Sequence, residues 1–384
     1  IDKGLVKGKR QIIDSTPVVA NISPSSLTGL VRKCRENVMK TVAKQDTRIA
    51  ERLGLKELQN AEQVKFASTE EGLHKEIEAA GKLLDSVTAE LRVKKLIPND
   101  ELKKDLELLE KAVVDREEHA KDKLISPVDP DARVGKKTNH IWRGYKAHIV
   151  MEEETGIITG VETTPANTTD GSQLKPMLKD QERVYSIKPK ELTADKAYDW
   201  GENLESLADN KTIANIALSK QVNHRNEGYF TVDDFLYDPE NIKLMCPAGH
   251  ISTNCYSEIL YNNKSGYAFQ FKASLCNTCP LKTKCVKNKE GRRIYISYYE
   301  PYFRLARERL ATEEGQQAYR NRYKIEQKVA DLTRYCGLRR CRYHGLSRAH
   351  IHTLLATTVC NIKRMVKLLW GKPDNYYLES PAAG

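Results

Sequence analysis

Residues 319–326 read YRNRYKIE, a single acid in a stretch crowded with cations. Between Tyr319 and Arg348 stand nine Lys/Arg (Arg320, Arg322, Lys324, Lys328, Arg334, Arg339, Arg340, Arg342 and Arg348) against two acids, Glu326 and Asp331. The plain reading makes Arg322 and Glu326 an i,i+4 helix pair on a solvated face, contributing about 0.3–0.5 kcal/mol. The sharper reading uses helical geometry. Tyr319, Arg322 and Glu326 fall at i, i+3 and i+7, which is one face of one helix. An acid kept on such a face, among cations, suits a metal ligand pressed against a polyanion. The rest of the chain decides between the two.

The chain has 384 residues, enough for two or three domains of about 100–200 residues each. It carries 63 Lys+Arg against 52 Asp+Glu, a net charge of +11. That balance favours a polyanionic partner, with nucleic acid the first class and an anionic membrane surface the second. No stretch approaches the roughly 20 apolar residues that span a bilayer. The opening IDKGLVKGKRQIIDSTPV has neither an initiator Met nor the apolar core of a signal peptide. We therefore expect a fragment or processed product that lacks residues before Ile1. Nine cysteines without a secretory signal point to a reducing compartment, where clustered Cys bind metal more often than they pair.

Along the chain, RQIIDSTPV (10–18) predicts a short buried strand ending at Asp14, then a Ser-Thr-Pro turn. Leu73, Ile77, Ala80, Leu84, Val87 and Leu91 follow a helical 4-3 spacing. After the LIPNDE break (96–101), Leu102, Leu106, Leu109 and Val113 predict a second, antiparallel helix, with an earlier helix around 27–52 packed on the pair. SPVDPDARVGKKTN (126–139) reads as a polar linker. The alternation from Tyr145 to Met151, the EETG turn and Ile157, Thr159, Val161 predict a β-hairpin over 142–167. A helix near 170–181, a strand ending at Asp195, a helix over 200–210 and a strand over 212–219 continue a mixed α/β pattern. Residues 222–300 read as β-rich, and the chain is helical from Pro301 onward.

Asp14 and Asp195 thus sit at predicted strand ends and Glu326 in a helix. Three such carboxylates, if they converge, can hold two Mg²⁺ ions, hard cations that prefer oxygen ligands. Sequence alone does not show convergence, and Asp129, Asp131 and Asp170 are rival ligands. The motifs resemble a known family. YRNRYKIE matches the Tyr-x2-Arg-x3-Glu core, and IIDST and LTADKAYD the two Asp motifs, of bacterial insertion-sequence transposases of the DDE, RNase H-like superfamily. CPAGH…CNTCPLKTKC and RYHGLSRAH…NIKRM are similar to one branch of it. Two positions depart from the pattern: Thr333 replaces a Lys, with Arg334 adjacent, and Ala197 replaces a Gly.

The resemblance implies Asp14, Asp195 and Glu326 as catalytic ligands of two Mg²⁺ (or Mn²⁺) ions, cutting DNA at element ends and joining it to target DNA. Tyr319 and Arg322, with Arg334, Arg339, Arg340 and Arg342, would contact DNA, Arg322 gripping a phosphate bidentately and the cations giving a steep salt dependence. It implies a homodimer when assembled on DNA, no membrane association, and a bacterial cytoplasmic, nucleoid-associated location. Separately, Cys276-x2-Cys279-x5-Cys285 with Cys246 upstream offers four thiolates for one structural Zn²⁺, and His250 is the reserve ligand.

The expected fold is α/β: an RNase H-like mixed-sheet core with a helical insertion after the first strand and a β-rich, Cys-containing insertion before the catalytic helix. Segment by segment, 1–26 holds the first strand and 27–125 a coiled-coil-like helical insertion whose Leu seam reads as intramolecular core, the alternative being a dimerisation or DNA-end-pairing arm. The core continues over 126–221, 222–300 is the β-rich, zinc-binding insertion expected from its cysteines, 301–370 the catalytic helix and basic region, and 371–384 a tail. The rival functions are a metal-dependent nuclease of the same superfamily and a non-catalytic, degenerate or domesticated DNA-binding protein.

Overall fold

The computed structural model describes residues 4–23, 25–54, 69–117, 122–137, 140–219, 228–252, 255–259 and 265–371. The described chain divides into two compact units. The first comprises residues up to Asp14, Val150–Thr159 and Asp170–Glu326; the second Ser15–Ile149, Gly160–Thr169 and the chain from Gln327 on. The main sheet is built from β1 (Arg10–Val19), β2 (Arg133–Lys137), β3 (His140–Glu152), β4 (Ile158–Pro165), β5 (Glu191–Ala194) and β6 (Ile213–Ile216). Its hydrogen-bonded order is β2-β3-β1-β5-β6, with β4 pairing β3. β2 and β3 are antiparallel, whereas β1, β5 and β6 run parallel, so the sheet is mixed and the fold is α/β. Such a sheet with flanking helices is compatible with an RNase H-like core.

In the first unit β1 pairs β5 with Arg10, Gln11 and Ile12 opposite Glu191, Leu192 and Thr193. β5 in turn aligns Leu192 with Ala214 and Ala194 with Ile216. Parallel strands covered on both faces read as continuous apolar runs, and Ile12, Ile13, Leu192, Ala194 and Ile216 are all fully buried. The helices Leu174–Tyr185, Gly201–Asp209 and Glu300–Ala311 close on them through Leu174, Met177, Leu204, Leu207 and Ala306. Between β6 and the helix Glu300–Ala311 lie two small three-stranded sheets: β7 (Leu236–Asp238), β8 (Lys243–Met245) and β9 (Ile251–Ser252), then β10 (Cys255–Ile259), β11 (Ser265–Gln270) and β12 (Arg293–Ser297). Phe235, Leu244, Phe269, Phe271, Ile294 and Ile296 form their shared core.

In the second unit the helices Leu27–Gln45, Thr47–Arg52, Glu70–Val93 and Asp100–Glu117 pack around Val31, Val38, Val42, Val87, Leu91, Leu102 and Leu109. The predicted seam holds, with Ala80, Val87 and Leu91 buried and Leu73, Ile77 and Leu84 partly so. Each buried Leu or Val contributes about 1.5–3 kcal/mol. The helix expected over 27–52 is two helices, because Asp46 turns outward and accepts the Arg48 and Ile49 N–H groups as an N-cap. Inside this core the Glu76 carboxylate, wholly buried, is paired with Arg35 at 2.6 Å and Arg32 at 3.4 Å.

Two more expectations are corrected. β1 does not end at Asp14 but runs on to Val19. Pro17 withholds one ladder hydrogen bond, yet Thr16, Val18 and Ala20 stay buried on alternate positions. The Val19 N–H donates to the Arg339 carbonyl, and the Cys341 N–H donates back to Val19. The stretch 126–139, read as linker, contains β2, whose Arg133–Lys137 pair with Gly144–His140. Asp129 and Asp131 also have structural partners in this unit. Asp129 accepts from the Tyr145 hydroxyl and the Gly345 N–H, and Asp131 from the Leu346 N–H, at the start of the helix Leu346–Trp370.

Candidate active site

Asp14 lies within β1 and is 7 % exposed. Asp195 follows β5 directly and accepts the Ala197 N–H at 2.8 Å, capping the short 3₁₀ turn Lys196–Tyr198. The Cβ of Ala197, at the position where the resembled pattern has Gly, leaves that bond in place. Tyr198 ends the turn with its side chain fully buried and its hydroxyl without a hydrogen-bond partner. Burial pushes that phenol well above its usual range, and the carboxylates of Asp14, Asp170 and Asp195 push the same way. Three acids therefore act on one buried hydroxyl.

Asp170 reaches this neighbourhood through a second 3₁₀ turn, Asp170–Gln173. The two turns touch at Gly171, where a Cβ would stand 2.7 Å from the Trp200 ring and 2.8 Å from the Ala197 carbonyl oxygen. Asn203 staples them together, its side-chain amide donating to the carbonyls of Gly171 and Tyr198 at 2.8 and 3.2 Å. Of the three rival acids, Asp170 alone shares a buried neighbour with Asp14 and Asp195.

The third candidate arrives on a broken helix. Tyr319, Arg322 and Glu326 do not share one continuous helix: Glu313–Arg320 ends at Asn321, and Tyr323–Tyr335 begins anew. Tyr319 belongs to the last turn of the first helix, Arg322 to the break, and Glu326 to the first turn of the second. An acid there suits the positive end of the helix dipole. Arg322, in the break, donates to Asp14 Oδ2 at 3.1 Å and to Glu326 Oε1 at 2.6 Å. The i,i+4 pair of the plain reading is thus present, but the same guanidinium also reaches a strand acid more than 300 positions away in sequence. One cation between two carboxylates is what keeps like charges together at close range.

The donors around this point are carboxylate oxygens, the ligand set that suits Mg²⁺ or Mn²⁺. Among the described residues no three His, Cys, Asp or Glu side chains stand as a group able to hold a metal ion. Arg322 takes the position between Asp14 and Glu326.

The remaining residues expected at DNA lie apart in the chain. Arg334, Arg339, Arg340 and Arg342 belong to the second unit and are exposed. Arg339, Arg340 and Arg342 line a cavity of about 770 Å³ there, together with Thr16, Asn21 and His140. Thr333, at the departing Lys position, spends its hydroxyl on the Val329 and Ala330 carbonyls of its own helix.

Cys246, Cys276, Cys279 and Cys285, with His250, line one apolar cavity of about 20 Å³, room for a single water or small ion. The Cys246 N–H donates to the His250 carbonyl and the Gly249 N–H to the Cys246 carbonyl, a tight turn that aims this strand end at the helices Ala273–Thr278 and Lys282–Cys285. Burial pushes the Cys285 thiol up; Arg292 pulls it down and Cys276, Cys246 and Cys279 raise it. Cys34, Cys341 and Cys360 are buried in the other unit, Cys360 beside Cys336. The four thiols and an imidazole suit zinc by chemistry, but as placed they do not close on an ion.

With that geometry in view, comparison with known families shows that residues 245–366 fit the model of the transposase DDE domain. The matched stretch includes Glu326, the cysteines and the basic region, and excludes Asp14 and Asp195. It points to transposase-type cleavage and transfer of DNA by an enzyme of the DDE kind, for which divalent metal ions are the general cofactor. No curated protein and no solved structure matches the chain. No helix among the described residues is long and apolar enough to cross a membrane.

Sequence reasoning missed Tyr198 and Asn203. Tyr198 stands three places after Asp195 in LTADKAYD, and nothing local marks it as the buried hub of three acids.

Proposed function

We propose that this chain is a DDE transposase whose catalytic carboxylates are Asp14, Asp195 and Glu326. The observation that carries the reading is Arg322, which bridges a buried strand acid and a helix acid, Asp14 and Glu326. A bound pair of Mg²⁺ or Mn²⁺ ions would activate the attacking oxygen and stabilise the leaving oxygen of a phosphodiester. The protein's own part is to hold the ligands. β1 and β5 are parallel neighbours and fix Asp14 and Asp195 on adjacent strands, and the helix Tyr323–Tyr335 brings Glu326 to them. Arg322 neutralises Asp14 and Glu326 until metal binds; released, its planar fork suits a DNA phosphate. Tyr319 then lies on the same approach, and Arg334, Arg339, Arg340 and Arg342 supply phosphate contacts that fix DNA without reading its sequence. No side chain is needed as a covalent nucleophile, since water and then a DNA 3′-hydroxyl attack in line. Cys246, Cys276, Cys279 and Cys285 would hold one structural Zn²⁺, adding to the apolar core of the two small sheets.

Supercoiled-plasmid nicking with Mg²⁺ or Mn²⁺ tests the assignment against Glu326→Gln, which keeps side-chain size and removes the charge. The expected result is nicking by the parent and none by a variant that binds DNA equally well. If the two behave alike, Glu326 is a surface ion-pair partner, and if neither nicks the chain is a non-catalytic DNA-binding protein. Strand transfer by the parent then separates a transposase from a nuclease of the same superfamily.

A further inference from the structure

The end of β3 and the turn after it carry three consecutive acids, Glu152, Glu153 and Glu154, whose sets of partners differ. Glu154 is partly exposed and pairs with Lys7 and Arg10 at the surface. Glu152 is buried and accepts the Gly8 N–H at 3.0 Å. Glu153 is the one that reaches toward the candidate site. Its side chain is 2 % exposed, and one oxygen, Oε1, accepts from Asn321 Nδ2 at 2.7 Å and from Lys324 Nζ at 3.0 Å. Its other oxygen faces Arg10 Nε at 3.9 Å. A carboxylate this deep is costly unless paired and hydrogen-bonded, and here the pairing is spent on two residues that flank Arg322.

The position of those two residues gives the contact its meaning. Asn321 is the C-cap of the helix Glu313–Arg320, and Lys324 lies in the first turn of the next helix. Arg322, which holds Asp14 and Glu326, sits between them. At its other end Glu153 donates its backbone N–H to the Arg10 carbonyl at 2.9 Å, four residues before Asp14 on β1. One residue thus grips the strand that carries Asp14 through its backbone and the helix break before Glu326 through its side chain.

We propose that Glu153 is a positioning residue for the carboxylate site, clamping the Asn321–Lys324 break so that Glu326 and Arg322 stand opposite Asp14. Its role is positioning and not ligation: Oε1 is taken by Asn321 and Lys324, and Oε2 faces Arg10. The inference rests on the reading of Asp14 and Glu326 as metal-holding carboxylates given above.

Mn²⁺ binding to the full chain without DNA, followed by the electron paramagnetic resonance signal of the free ion, tests it. Replacing an outer partner of a metal ligand costs about 10–100-fold in metal affinity, and Glu153→Ala is expected to weaken Mn²⁺ binding to that extent. Lys324→Met should give a loss of the same order, and the double variant a loss no larger than Glu153→Ala alone, since the two act as one clamp. Glu153→Gln still accepts from Asn321, so it should fall between parent and Glu153→Ala; it carries the test if the alanine variant fails to fold. Glu76→Gln, which disturbs a buried ion pair in the other unit, is the control for general destabilisation and should leave Mn²⁺ affinity unchanged. Binding by a folded Glu153→Ala within about twofold of the parent overturns the clamp, as does an equal loss in Glu76→Gln. A parent that binds no Mn²⁺ overturns the carboxylate-site reading itself, and the clamp with it.

Discussion

Arg322 offers the sharpest test of how the carboxylates are held without metal. Replacing it with Ala removes the cation that bridges the buried Asp14 to Glu326. Breaking a buried ion pair by removing one partner costs about 3–5 kcal/mol. The Arg322 side chain is 24 % exposed and that of Glu326 55 % exposed, so the Glu326 half is worth only about 0.2–1 kcal/mol. The Asp14 half dominates, and a loss of about 2 kcal/mol follows. In a unit of this size that lowers the melting temperature by about 4–8 °C. Divalent cation should restore it, because a ligand at about ten times its dissociation constant adds about 1.4 kcal/mol. The parent should gain less, since its metal must first displace the guanidinium. Differential scanning fluorimetry of both proteins with and without Mg²⁺ reads all four states. A variant that melts with the parent, or one whose melting does not respond to Mg²⁺, refutes the reasoning.

Three further outcomes are expected. Gly171→Ala forces a Cβ into the Trp200 ring and the Ala197 carbonyl; overpacking of this kind costs about 1–3 kcal/mol, and plasmid nicking should fall further than stability because the Asp195 turn must shift. His352 is buried, bonded through Nε2 to the Gly337 carbonyl oxygen, and its burial, aided by Arg342, holds its pKa below the usual value. It stays neutral in the folded chain while the unfolded chain takes up a proton, so stability is full above about pH 6.5 and declines as pH falls through that value; His352→Gln should flatten the decline in urea titrations across pH 5–7. Zinc content after dialysis should be one ion per chain in the parent and none in Cys276→Ser/Cys279→Ser, whose β-rich segment should become protease-sensitive.

Some of this architecture is legible from local pattern. The 4-3 spacing from Leu73 to Leu91 predicts a helix, and Glu70–Val93 forms with that face buried, because packing and periodicity agree. The hairpin over 142–167 appears as β3 and β4 for the same reason. Asp195 stands at the end of β5, where the change from apolar LTA to DKAYD marks the boundary. The break at Asn321 is different. YRNRYKIE contains neither Gly nor Pro, and its helix propensity is continuous, so nothing nearby signals two helices. The group that clamps the break, Glu153, comes from 168 positions earlier in the chain. β1 passes through a Pro that would ordinarily end a strand, because its buried alternation outweighs one lost hydrogen bond. Tyr198 and Asn203 are similar cases: their roles come from the meeting of two short turns, a tertiary fact without a local signature.

The central claim is that Asp14, Asp195 and Glu326 hold divalent metal together, and iron-directed cleavage of the polypeptide tests it without any knowledge of the DNA sequence recognised. Zinc-saturated protein is given Fe²⁺, ascorbate and peroxide, so that hydroxyl radicals cut the backbone beside the bound iron. The account predicts cuts near residues 14, 195 and 326, suppressed by excess Mg²⁺ and lost in Glu326→Gln. Cuts confined to other regions, or an unchanged pattern in the variant, would contradict it.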